Sequence, residues 1–124
     1  MLNEAMNSAC AVVASHAVGS VPFLIKHNEN GLIFQNMELD SLVYQIKRLK
    51  GDDDLQRKLG INAYKTISET WNARIAAERL MVLSETLMKN SRCDRYLDGP
   101  CSRALLLKNG WYENGSVLEC RTVW

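Results

Sequence analysis

Apolar residues Leu2, Ala5, Met6 and Ala9 recur at i, i+3, i+4 and i+7, the stripe of a helix with one buried face. Cys10-Ala-Val-Val-Ala-Ser15 follows. It is short, continuous and partly β-branched, which predicts a strand buried on both faces in a parallel sheet. Gly19 and Pro22 punctuate the next stretch. Phe23 to Lys26 and Gly31 to Phe34 flank His27-Asn-Glu-Asn30. The Asn30-Gly31 step favours a turn with positive φ, and a hairpin and a loop-linked pair of short extended segments are equally open.

From residue 40 the period changes to that of helices. Asp40 is placed to cap a helix whose Leu42, Ile46 and Leu49 face one way and which Gly51 ends. Asp52-Asp53-Asp54 stands where the positive end of a second helix favours acids, ahead of Leu55 and Leu59. Gly60 is expected to break or bend that helix before Ile61 to Ser68. After Trp71, the spacing of Ala76, Leu80, Leu83 and Leu87 predicts a long amphipathic helix. Past Lys89 the periodicity stops. Asp98-Gly-Pro100, Asn109-Gly110 and Asn114-Gly115 mark turns, with Trp111, Tyr112 and Trp124 as isolated apolar anchors. The expectation is an α/β fold: a small parallel or mixed sheet with helices from 40 to 89 packed on it, one domain over 1–89, and an irregular appendage over 90–124.

Composition narrows the function classes. With 47% hydrophobic and 23% charged residues the 124-residue chain is that of an ordinary globular domain. Fifteen basic against fourteen acidic side chains give a net charge of +1, so no broad basic field exists for a nucleic-acid backbone. The apolar runs are far shorter than a membrane span, and Asn3 and Glu4 stand where a signal peptide carries positive charge. A cytoplasmic location is expected. Cys10, Cys93, Cys101 and Cys120 form no C-x-x-C pair, so reduced thiols are expected rather than a zinc knuckle.

Four segments carry a resemblance. Leu2-Asn-Glu-Ala-Met6, the strand Cys10 to Ser15, Gly19-Ser-Val-Pro22 and Asn30-Gly-Leu-Ile-Phe34 together resemble the last part of the family 4 retaining glycosyltransferases of the GT-B type. In that family an E-x7-E motif precedes Ala-Met, a buried strand, a G-G-x-P-E loop and an N-G-L turn. Glu4 matches the second Glu of the motif, and the match runs to about residue 89. Tyr96 to Arg103 is similar to a tail found in some bacterial members. Ser20 stands where the second Gly is usual and Phe23 where Glu is usual. The first Glu of the motif, which in the family contacts the donor sugar, lies outside the sequence, as does the acceptor-binding Rossmann-like domain.

The resemblance implies a carboxy-terminal fragment: a partial Rossmann-like half-domain that binds a UDP- or GDP-sugar donor, with no cofactor, and meets a glycan or lipid-linked acceptor through a missing amino-terminal domain. It implies ribose recognition by Glu4, with the main chain near Met1 and Leu2 facing the diphosphate. The chemistry agrees with that role, because a carboxylate in a helix first turn accepts two hydrogen bonds from vicinal hydroxyls while free N–H groups of the same turn suit a diphosphate. Transfer by the chain alone is not expected, and a place at the inner face of a membrane is compatible with it. The competing reading is a non-enzymatic α/β module that docks onto a partner chain.

Other residues carry weaker signals. Ser15-His16 sets a hydroxyl beside an imidazole without a third orienting group, so a strand-end loop is expected rather than a nucleophilic triad. His27 has no second ligand at metal spacing and reads as a solvated loop histidine. The acidic run at Asp52 reads as a solvated cap. Asn114-Gly-Ser116 fits a glycosylation sequon but is read as a turn.

Overall fold

The computed structural model describes residues 1–89, 96–103, 107 and 110–114. Their element order is α1 (Leu2–Asn7), β1 (Val13–Ser15), α2 (Val21–Leu24), β2 (Leu32–Phe34), α3 (Leu39–Lys50), α4 (Asp53–Glu69), α5 (Ala73–Met88) and α6 (Trp111–Asn114). The fold is α/β. β1 and β2 pair in parallel with Val13 opposite Leu32, Ala14 opposite Ile33 and Ser15 opposite Phe34. The strand is shorter than the apolar run that predicts it, and its three residues are half-buried rather than sealed on both faces.

The first helix ends in a Schellman motif. Cys10 N–H donates to Ala5 O and Ala9 N–H to Met6 O, both at 3.0 Å, and Ala9 takes φ +56°. Glycine is the residue that adopts this left-handed position without penalty. Ala9→Gly is therefore expected to stabilise the protein by about 0.5–1 kcal/mol. A chemical denaturation midpoint that stays put or falls would count against this cap geometry.

The core lies between α1, the strands, α2 and α4. Leu59, Ala63 and Ile67 repeat every four residues along one face of α4 and are buried, and Met6 of α1 is fully buried in the same cluster as Ala63 and Ile67. Gly60 does not interrupt α4, which runs unbroken from Asp53 to Glu69. Its missing side chain has a different use: a Cβ there would overlap the carbonyl oxygen of Ala9 and lie 3.2 Å from that carbonyl carbon. The glycine lets the backbone after α1 rest directly on α4.

Several local expectations are corrected. Phe23 does not begin an extended segment, because Val21–Leu24 is one helical turn with Pro22 in its first positions, where the missing N–H is harmless. Of the two arrangements left open around Asn30-Gly31, the hairpin does not form, since β2 pairs with β1. The positive φ near the Asn30-Gly31 step belongs to Asn28, at +66°. Glu38, not Asp40, is the N-cap of α3, and Asp40 sits in its first turn. The buried residue of α3 is Gln45, while Ile46 is 48% exposed. Asp52 caps α4 as its position suggests, accepting a hydrogen bond from Leu55 N–H at 2.8 Å.

Helix α5 starts on Asn72, whose Oδ1 accepts from Ile75 N–H at 2.9 Å. None of its residues is fully buried, and Leu80 and Leu87 of the predicted apolar face are exposed. Arg79 joins it to the carboxy-terminal segment: one guanidinium nitrogen donates to Asp98 O at 2.6 Å and Pro100 O at 3.2 Å, and the group lies 4.3 Å from the Tyr96 ring centroid. Gly99 makes this approach possible, with φ +89° and the Arg79 nitrogen 2.6 Å from where a Cβ would be. Among the described residues no helix is long and apolar enough to cross a membrane. Cys10 and Cys101 are free thiols; Cys93, Cys120, Trp124 and Ser116 lie outside the described residues.

Candidate functional site

In an α/β layer, ligands bind where the carboxyl ends of parallel strands meet their loops. Here those loops are residues 16–20 after β1 and residues 35–38 after β2. They are tied to each other. Asn36 N–H donates to His16 Nδ1 at 3.0 Å, Ser15 Oγ donates to Asn36 Oδ1 at 3.3 Å, and Ala17 N–H donates back to Ser15 Oγ at 3.2 Å. Ser15 and His16 are thus each bonded to Asn36, and this pattern is that of a loop brace rather than of a hydroxyl activated by its neighbouring imidazole. Ser20 has φ −86°, a value any residue adopts, so a serine stands in place of a second loop glycine without backbone strain. Phe23 puts a ring where a carboxylate was the expected residue, 6.4 Å from the Trp71 ring in an edge-on arrangement.

Glu4 lies in the first turn of α1. Its side chain is 82% exposed, and Oε2 is 3.0 Å from the Met1 ammonium. The carboxylate is open to a ligand, and Leu2, half-buried, packs against the core. Neither residue lines the two cavities described next.

One cavity, of about 340 Å³, is bounded by Pro22 and Phe23 of α2, by Lys26, His27 and Glu29 of the following turn, and by Asp98, Trp111 and Tyr112 of the carboxy-terminal segment. A smaller one of about 190 Å³ lies beside it, against Lys65 and Glu69 of α4. The carboxy-terminal residues are held in place: Tyr112 stacks on His16 with centroids 4.3 Å apart and planes at 21°, and Lys26 Nζ is 3.5 Å from Asp98 Oδ2. Trp111 and Tyr112, read from sequence as isolated anchors, are adjacent rings 5.9 Å apart and nearly perpendicular. The only signal for them in the sequence is that two aromatics stand side by side in a segment otherwise made of turns.

His27 is not a solvated histidine. Its Nδ1 accepts a hydrogen bond from Ile33 N–H at 2.8 Å, on the edge of β2 that faces away from β1. Burial, and then the nearby Arg48 guanidinium, hold its pKa below the ordinary 6.5. With the folded pKa lowered, the unfolded chain takes up the proton first as pH falls. Stability from this group is therefore complete above about pH 6.5 and declines as the pH drops from there towards the lowered folded value. His27→Asn places an amide oxygen near the position of Nδ1 and removes the titration. Its midpoint of denaturation is expected to fall less than that of the parent between about pH 7 and pH 5. Parallel curves would show that His27 is not the group responsible.

The sequence model of the glycosyl transferases group 1 family matches residues 1–66. The chain belongs to this family. Its fold is similar to that of sucrose-phosphate synthase from Thermosynechococcus elongatus, with a TM-score of 0.63 and 29% identity over 73% of this chain. The similarity spans 22% of the synthase chain. Among curated proteins no similar sequence is found. The matched stretch takes in α1, β1, α2, β2, α3 and most of α4, so the glycosyltransferase portion includes Glu4 and both strand-end loops.

Proposed function

We propose that the chain is the donor-binding part of a retaining glycosyltransferase that moves a sugar from a UDP- or GDP-sugar to a glycan or lipid-linked acceptor, on the cytoplasmic side of the cell. The observation that carries this reading is the family match over residues 1–66, which includes Glu4-Ala-Met6 ahead of β1. In the proposed complex the Glu4 carboxylate accepts hydrogen bonds from the two ribose hydroxyls, and the main chain at Leu2 faces the diphosphate. The exposure of Glu4 supports this, since a ligand has only to displace the solvent-exposed Met1 ammonium to reach the carboxylate.

The 124-residue chain is expected to show no transfer by itself. Holding two substrates in line supplies as much as ~7–11 kcal/mol of the barrier reduction, and in this reading the acceptor is held by another domain. Incubating the purified chain with UDP- and GDP-sugars and following nucleotide release tests this. Release above that of a Glu4→Ala preparation would contradict it. Binding is a separate matter, and amide resonances of residues 2–5 are expected to shift on titration with UDP or GDP.

A further inference from the structure

We propose that the 340 Å³ cavity between α2, the 26–29 turn and the carboxy-terminal segment is a second binding site, for one neutral pyranose ring. Its volume is at the small end of the range for small-molecule sites, roughly 300–1,000 Å³. Ile25 and Ile33, each 3% exposed, give it a dry floor. Phe23, Trp111 and Tyr112 give it aromatic walls. The negative faces of such rings attract the positively polarised C–H groups that a pyranose presents on its flat sides.

The polar groups choose among ligand classes. Lys26 and Asp98 form an ion pair with both side chains more than half exposed, so they stand at the mouth, hydrated and able to exchange water for hydroxyls. Glu29 adds a second carboxylate to the lining. The Nδ1 of His27 is occupied by Ile33 N–H, which leaves the proton of the neutral ring on Nε2 as a donor. Two carboxylates against one ammonium disfavour a phosphate or any other anion. A purely apolar ligand would strip water from Lys26, Asp98 and Glu29 and return no hydrogen bond. A polyhydroxylated, uncharged ring satisfies both the aromatic walls and the mixed donors and acceptors. The ligand is the ring of a saccharide held apart from the donor nucleotide, since Glu4 does not line the cavity.

The site does not depend on the donor reading, because neither Glu4 nor the loop 16–20 lines it. NMR titration of the full chain separates the two. Methyl α-glucopyranoside and maltose are expected to shift the Trp111 indole N–H and the amides of residues 26–29 with saturation near ~1–10 mM. UDP and uridine should leave these resonances in place and act, if the donor reading holds, on residues 2–5. Trp111→Ala should weaken saccharide binding roughly tenfold or more. If that variant fails to fold, Asp98→Asn decides: its ion pair with Lys26 is solvent-exposed, so the melting temperature should move little, and affinity should drop by about three- to tenfold. The proposal is overturned if the saccharides give no saturable shift, if both variants bind as the parent does, or if uridine and UDP move the cavity resonances in preference to the sugars.

Discussion

Replacing Gly60 with alanine is expected to destabilise the protein by about 2–3 kcal/mol, although the same change in an ordinary helix interior stabilises by about 1 kcal/mol. The reversal follows from contact geometry. The new Cβ would overlap the Ala9 carbonyl oxygen, and what it meets is backbone, held by the Cys10 and Ala9 hydrogen bonds that close α1. A flexible side chain could turn aside, but here the whole of α1 must move off α4. Met6, fully buried between them, would lose part of its packing. Thermal or urea denaturation of the variant reads this directly. A more stable Gly60→Ala protein would show that α1 does not rest on α4 as described.

Asn30→Ala is expected to cost about 3 kcal/mol and to lower the melting temperature by roughly 10–15 °C. Asn30 is 4% exposed and uses its whole amide. Oδ1 accepts from Lys26 N–H at 2.7 Å, and Nδ2 donates to Leu24 O and to Thr66 Oγ1, each at 2.9 Å. It therefore closes the 24–30 turn and fastens it to α4, where Asn62 adds a bond to Glu29 O at 2.8 Å. Truncation strands the part-buried Lys26 N–H and the buried Leu24 carbonyl at once, and unmade buried bonds cost about 1–3 kcal/mol each. Asn30→Asp gives the control: it keeps the bond from Lys26 but sets a second oxygen against the Leu24 carbonyl, so a comparable loss is expected. Wild-type stability in either variant would contradict the role given to this amide.

How far the sequence speaks depends on the length over which a pattern repeats. α3, α4 and α5 are legible as helices because several turns of period repeat, and Asp52 before Leu55 and Gly51 after Lys50 mark ends where they fall, whereas Asp40 is not the cap it resembles. Val21–Leu24 is not legible, since one turn has no period and Pro22 reads equally as a break or as a helix start. Gly60 is not legible for a related reason: local propensity sets glycine against the helix, whereas its use lies in a contact with Ala9, 51 positions away. Ile46, expected on the buried face of α3, is exposed and Gln45 is buried, because packing against the rest of the fold, not side-chain polarity, sets that face, and Gln45 finds a partner in Arg48 at 3.0 Å. At the site, the family resemblance rested on contiguous segments and was legible, as the match over residues 1–66 shows. The cavity was not, because it is assembled from α2 and from residues more than seventy positions later, with no motif to join them.

The central claim, that the amino-terminal turn of α1 receives a donor nucleotide, is tested most directly by titrating UDP and GDP into the parent chain and into Glu4→Ala, with Glu85→Ala on the exposed part of α5 as the control. A carboxylate that accepts from two hydroxyls is worth about 1.5–3 kcal/mol, so Glu4→Ala should weaken binding by roughly ten- to a hundredfold. Glu85→Ala should leave it unchanged, and 2′-deoxy-UDP should bind the parent less tightly than UDP. Equal affinities for all three proteins, or no penalty for the missing 2′-hydroxyl, would contradict the claim.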